Sequence, residues 1–148
     1  MSLKERLADD LKSAMKDKNV VRKNVVQMVR AGVLQIEKDK KVTLDDEGVL
    51  DVIAKQLKQR KDSLPDYEKS GREDLIATLK AEMDVLMEYL PAQLTKEELE
   101  VIVREAVEKT GASSMKDMGK IMAEVMPKTK GRADGKEINT IVRNLLNL

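Results

Sequence analysis

Three cations alternate along one short stretch of this chain: Lys128, Lys130 and Arg132, bracketed by Pro127 and Gly135. Pro127 closes the amphipathic segment before them. Gly131 and Gly135 allow the backbone to take positive φ, so the basic side chains can project together from a turn. Lys136 follows at the start of the next helical segment, and Lys120 and Arg143 carry the charge along the two flanking helices. Side chains of this kind recognise phosphate, assisted by unpaired N–H groups at a helix start. A solvated interhelical turn, with Asp134 acting only as a helix cap, accounts for the same residues, and both readings stand at this point. The stretch is not a P-loop, because no strand precedes it and no Gly-Lys-Ser/Thr follows.

Other chemistries are restricted by what is missing. The chain has no His and no Cys. The usual general base, the Ser-His and Cys-His nucleophile pairs, thiolate metal sites and disulfides are therefore excluded. Acid pairs such as Asp45–Asp46 and Glu97–Glu98 could do acid–base work, but each sits where a helix start favours negative charge. An enzyme would need a carboxylate-only site in a real cleft. No catalytic residue, metal ligand or cofactor motif is assigned. A nucleic-acid module that stacks bases needs aromatics, and this chain has only Tyr67 and Tyr89. Any RNA would be read through its backbone and shape.

The elements that must hold the cations are helices. A core without Phe or Trp has to be built from Leu, Ile, Val, Met and Ala, and three Pro and seven Gly in 148 residues suit long helices with few turns. Seven amphipathic segments follow one another. Ser2 with Glu5 opens the first as a capping box, and Asn19 ends it. The second runs over 20–40, with Val21, Val25, Met28, Val29 and Ile36 on its stripe and Gly32 admitting a close neighbour. Asp45-Asp46-Glu47 opens the third, in which Pro65 should kink the helix or start a new turn; Gly71 ends it. The fourth covers 72–90 and stops at Pro91. Thr95 with Glu98 opens the fifth, which Gly111 ends. Ser113 or Ser114 caps the sixth, where Met115, Met118, Met122, Val125 and Met126 share a face beside Gly119. That stripe is core, or alternatively a pliable partner groove. Asp134 and Glu137 box the seventh, with Ile138, Ile141, Val142, Leu145 and Leu146 inward.

Charge is unevenly spread. Residues 1–44 carry +5, 45–91 carry −5, 92–110 carry −2 and 111–148 carry +3. The first two blocks can offset each other in a helical hairpin, whereas the last has no equal partner nearby. No apolar run approaches the roughly 20 residues of a membrane span. The N-terminal residues start a helix and do not form a signal peptide, which makes a soluble cytoplasmic protein the simplest expectation.

Several separated motifs carry a family resemblance. Met118-Gly119-Lys120-Ile121-Met122, Gly131-Arg132-Ala133-Asp134-Gly135 and Asn139-Thr140-Ile141-Val142-Arg143 closely resemble the YqeY family. So do Lys58-Gln59-Arg60, Gly71-Arg72-Glu73-Asp74-Leu75 and Tyr89-Leu90-Pro91-Ala92-Gln93-Leu94 upstream. The same pattern is similar to the C-terminal helical and tail region of GatB, a subunit of the tRNA-dependent amidotransferase. The resemblance implies two helical subdomains and a tail that contacts tRNA. The amide-transfer chemistry of GatB lies in other domains and subunits, so a carbon–nitrogen ligase label would be inherited and has no catalytic site here.

These readings together predict an all-α fold of two helical subdomains. The first, 1–91, is a helical hairpin-like bundle, and the second, 92–148, is a small three-helix bundle. The expected function is non-catalytic binding of tRNA or another structured RNA. Lys128, Lys130, Arg132 and Lys136 carry it, Lys120 and Arg143 support it, and Pro127, Gly131 and Gly135 form the loop and hinge. The alternative is an accessory interaction module of a translation-related complex, such as an amidotransferase or aminoacyl-tRNA synthetase assembly. No membrane partner and no cofactor are expected.

Overall fold

The computed structural model describes residues 1–146 and is all-α. Among the described residues there are seven α-helices and no strand. The chain divides into two compact units, Met1–Leu90 and Pro91–Leu148, each with its own apolar core. Asn147 and Leu148, the end of the expected second subdomain, lie outside the described residues.

The first unit holds α1 (Leu3–Lys16), α2 (Val20–Lys40), α3 (Asp46–Ser70) and α4 (Glu73–Tyr89). Local chemistry sets their ends. Ser2 Oγ accepts the Glu5 N–H at 3.2 Å while Glu5 Oε2 accepts the Ser2 N–H at 3.3 Å, so two orphan donors are satisfied at the start of α1. Asn19 ends the first turn region and caps α2 by accepting from the Arg22 N–H. Asp45 caps α3 through Gly48, and Gly71 leaves it with φ of 69°.

Leu7, Val25, Val26, Val29, Val33, Val49, Ile53, Leu57 and Leu86 fill this core. Removing each such side chain from water contributes about 1.5–3 kcal/mol. The buried stripe of α2 is turned slightly from the expected one: Val26 and Val33 are inside, and Met28 is half-exposed. At Gly32 a Cβ would meet Val52 Cγ1 at 3.0 Å and Gln56 Nε2 at 3.1 Å, so α3 uses the space the missing side chain leaves. α3 continues through Pro65 as one helix, so no new element starts there. The carbonyl of Lys61, which loses its partner there, lies in a part-exposed turn where water can replace it.

Polar side chains tie the helices at two places. Arg60, almost fully buried, donates from Nε to Glu82 Oε2 at 3.0 Å and from Nη1 to the Gln56 carbonyl, joining α3 to α4. At the end of α4 the Tyr89 hydroxyl donates to Asp10 of α1, and Arg6 lies 4.5 Å from the centre of the Tyr89 ring. Beside it Arg22 grips Glu88 with two bonds of 2.6 and 3.0 Å. Leu90 is extended, as the residue before Pro91 must be.

The second unit holds α5 (Lys96–Thr110), α6 (Met118–Thr129) and α7 (Gly135–Leu145), with one 3-10 turn at Met115–Asp117. Thr95 caps α5 through the Glu98 N–H at 3.1 Å, and Gly111 ends it at φ of 65°. Packing of α6 and α7 against α5 encloses Leu99, Val103, Ala106, Ile121, Val125, Ile138, Ile141 and Val142.

Candidate nucleic-acid interface

The basic loop is shorter than the sequence suggests. Helix α6 runs through Pro127 to Thr129, so Pro127 and Lys128 are helical and the loop is 130–134. Pro127 falls in the last turn, where its missing N–H deprives only the exposed Ala123 carbonyl of a partner. Thr129 is buried and its Oγ1 donates to the Val125 carbonyl, which anchors the end of α6 in the core. Gly131 takes the left-handed conformation, φ 72°. Gly135 does not, because it is the first residue of α7. Asp134 caps α7, but its Oδ1 accepts from the Lys136 N–H at 3.0 Å, and the expected reciprocal box with Glu137 is replaced by this shorter-range bond.

The turn that leads into α6 is capped at Ser114, one of the two serines expected there, in a capping box with Asp117. Ser113 and Ser114 each donate a backbone N–H to Asp117 Oδ2, at 3.0 and 3.4 Å. The Asp117 carboxylate is held below its usual range chiefly by the Ser113 N–H. Gly119 faces open space, and no neighbouring helix uses it, contrary to the close approach read from the sequence. The methionine stripe is split: Met118 and Met122 are half-buried against the core, while Met115 and Met126 are 42% and 46% exposed. Ile121, Val125 and Thr129 are the residues that α6 buries most deeply.

Four of the candidate cations lie in or next to the loop, and two lie farther along the helices. Lys128, Lys130 and Lys136 are exposed at the two sides of the loop. Arg132 is half-buried, and its Nη1 donates to the Lys128 carbonyl at 3.4 Å. Lys120 is exposed two turns before Lys128, about 12 Å along α6. Its charge acts on Asp117. Arg143 is exposed about 10 Å along α7 from Lys136. It stands in the last turn, where it complements the negative end of the helix dipole.

One feature of the site was not legible beforehand. The linker ahead of α5 is bonded to the loop. Leu94 donates its N–H to the Arg132 carbonyl at 2.9 Å. Gln93 Nε2 donates to the Gly131 carbonyl at 2.8 Å, and Arg132 Nε donates to the Ala92 carbonyl at 3.1 Å. The Arg132 and Ala133 N–H groups both reach the Thr129 carbonyl. Two motifs nearly forty residues apart thus form one piece of structure.

Three acids of this region have local work, while Glu137 is exposed in the first turn of α7. Asp117 holds the Ser113–Ser114 turn, Asp134 caps α7, and Glu124 pairs with Lys109 of α5 at 3.1 Å. Among the described residues no three carboxylates are grouped closely enough to share a metal ion, and no helix is long and apolar enough to cross a membrane.

Comparison with known proteins assigns the family. Residues 4–146 match the model for the Yqey-like protein family. The chain is 31% identical over 131 residues to Altered inheritance of mitochondria protein 41, mitochondrial, of Pyrenophora tritici-repentis, covering 86% of this chain and 71% of that one. It is 33% identical over 119 residues to the protein of the same name from Vanderwaltozyma polyspora, covering 76% and 64%. With that of Kluyveromyces lactis it shares 40% over 87 residues, covering 58% and 47%. These relatives are named as mitochondrial proteins, which overturns the cytoplasmic location expected from the sequence. That expectation used the want of a long apolar run and the reading of the N-terminal residues as a helix start, and neither separates the two compartments. On the match over residues 4–146, the chain belongs to the Yqey-like protein family.

Proposed function

We propose that the second unit is a non-catalytic RNA-binding module whose partner is tRNA or another structured RNA. The observation that carries this reading is a charge arrangement. Lys120, Lys128, Lys130, Lys136 and Arg143 are all exposed, whereas Asp117, Glu124 and Asp134 are turned to caps and an ion pair within the unit. Lys128 and Lys136 flank the 130–134 loop that carries Lys130, beside the start of α7, where a helix dipole favours anions. The resemblance to the tRNA-contacting tail of GatB adds to the reading. With few aromatics to stack on, recognition rests on phosphates and shape.

Each phosphate neutralised steepens the fall of log affinity with log salt by about 0.7–0.9. Filter binding of tRNA across a salt series tests this. Replacing Lys128, Lys130 and Lys136 by Ala should flatten the slope by roughly two units and weaken binding at low salt. Binding that ignores both salt and these replacements would overturn it.

A second reading is favoured by one observation. Met115, Met126 and Val101 are large apolar side chains left exposed on this unit. An accessory protein of a translation-related complex could pack on them. Polar replacement of all three should then abolish co-purification of that protein while leaving RNA affinity unchanged.

A further inference from the structure

The bonds between linker and loop separate Arg132 from the other cations. Its guanidinium points two donors at backbone carbonyls, Nε at Ala92 and Nη1 at Lys128. Gln93 has no charge, yet its amide crosses to the Gly131 carbonyl, at the one loop residue with positive φ. Leu94 takes the next carbonyl, that of Arg132. The carbonyls of Lys128, Gly131 and Arg132 are therefore committed to donors inside the unit. Those bonds fix the backbone on either side of Gly131 and so fix where the chain carries Lys128 and Lys130.

We infer that Gln93 and Arg132 are positioning residues: they order the 130–134 loop for its polyanion, and Arg132 is not itself a phosphate ligand. This rests on the RNA-binding reading above. Two physical points support it. A loop already fixed in its bound shape loses less conformational freedom on binding, so affinity rises without any added charge. A planar guanidinium can reach two carbonyls in fixed directions, whereas an ammonium at the same position keeps the charge and loses that geometry.

The test compares the full chain with Gln93→Ala, Arg132→Lys and Lys128→Ala, each titrated with tRNA over a salt series. Amide exchange at Leu94 reports the state of the clamp independently. Gln93→Ala removes no cation; it should weaken binding about five- to tenfold with an unchanged salt slope, and the Leu94 amide should exchange faster. Arg132→Lys should lose a similar factor although its charge is kept. Lys128→Ala should lower the slope by nearly one unit. Wild-type affinity in both Gln93→Ala and Arg132→Lys would overturn the inference and leave the RNA reading intact. Wild-type protein that binds no tRNA at low salt would overturn the RNA reading itself, and the inference with it.

Discussion

Two glycines in helices should respond to the same substitution with opposite signs. In an isolated helix, Gly→Ala is favourable by about 0.5–1 kcal/mol, because Ala loses less backbone freedom on folding. At Gly32 that gain meets an obstacle. The new methyl would lie 3.0 Å from Val52 Cγ1 and 3.1 Å from Gln56 Nε2. Val52 is buried and β-branched, so it has little freedom to turn away. Gln56 is held by its bond to the Met28 carbonyl at 3.0 Å, and its Oε1 is already buried without a partner. Moving it would break the one bond its amide makes there. Overpacking of this kind costs about 1–3 kcal/mol, which exceeds the propensity gain, so Gly32→Ala should destabilise by roughly 1 kcal/mol. Gly119, by contrast, has nothing within 4 Å of its would-be Cβ and lies in the first turn of α6. Gly119→Ala should stabilise by a few tenths to about 1 kcal/mol. Urea unfolding followed by far-ultraviolet circular dichroism measures both, each referred to its own unit. A Gly32→Ala protein as stable as the Gly119→Ala protein would show that α3 does not approach α2 at this point, and the argument would fail.

Three other perturbations test the polar ties of the first unit. Tyr89→Phe keeps the buried ring but removes the hydroxyl that donates to Asp10; thermal unfolding should show a loss of about 1–2 kcal/mol. Burial and Asp10 push the Tyr89 phenol well above its usual 10, so spectrophotometric titration of the folded protein should find a tyrosine that resists ionisation, and this stabilisation is present below pH 10 and lost only as pH rises above it. The bond from Arg22 holds the Glu88 carboxyl below its usual 4.5; the stability it contributes is present above that value and lost as pH falls through the lower folded value, so Glu88→Gln should flatten the acid limb of the stability curve. Glu82→Ala leaves the Arg60 guanidinium buried without its carboxylate. Because Glu82 keeps 24% of its side chain in water, the loss should be about 2–3 kcal/mol, less than for a fully enclosed pair. The double variant Arg60→Met, Glu82→Ala should recover part of it in the same urea assay.

Helix ends were legible in the sequence because they are local events. Ser2, Asn19, Asp45, Thr95 and Asp134 each satisfy a backbone N–H within three residues, and Gly71 and Gly111 each end a helix in the left-handed region. The all-α class follows from those ends and the apolar spacing between them. What was not legible depends on a partner helix. Whether Gly32 or Gly119 is the crowded glycine is decided by where α3 runs, and Met28 yields its core position to Val26 and Val33 for the same reason. Pro127 was misread as closing its helix because its cost was judged without asking whether the deprived carbonyl can face water, as that of the exposed Ala123 can.

The candidate site divides along the same line. Exposed lysines look in sequence much as they look in the structure, although Lys128 stands in the last turn of α6 and only Lys130 is on the loop. Arg132 looks like a third member of that series and is not equivalent to them. What distinguishes it is a pair of backbone carbonyls, at Ala92 and Lys128, and a carbonyl acceptor leaves no mark on residue type. Gln93 is hidden for the same reason, since its acceptor is the Gly131 carbonyl. A side chain that bonds backbone can be recognised in sequence only when the acceptor is near, as at a helix cap. Across the interval between linker and loop it becomes visible only in the fold. Charge counting therefore finds the exposed lysines, but only tertiary hydrogen bonds set apart from them the arginine that ties the loop to the linker.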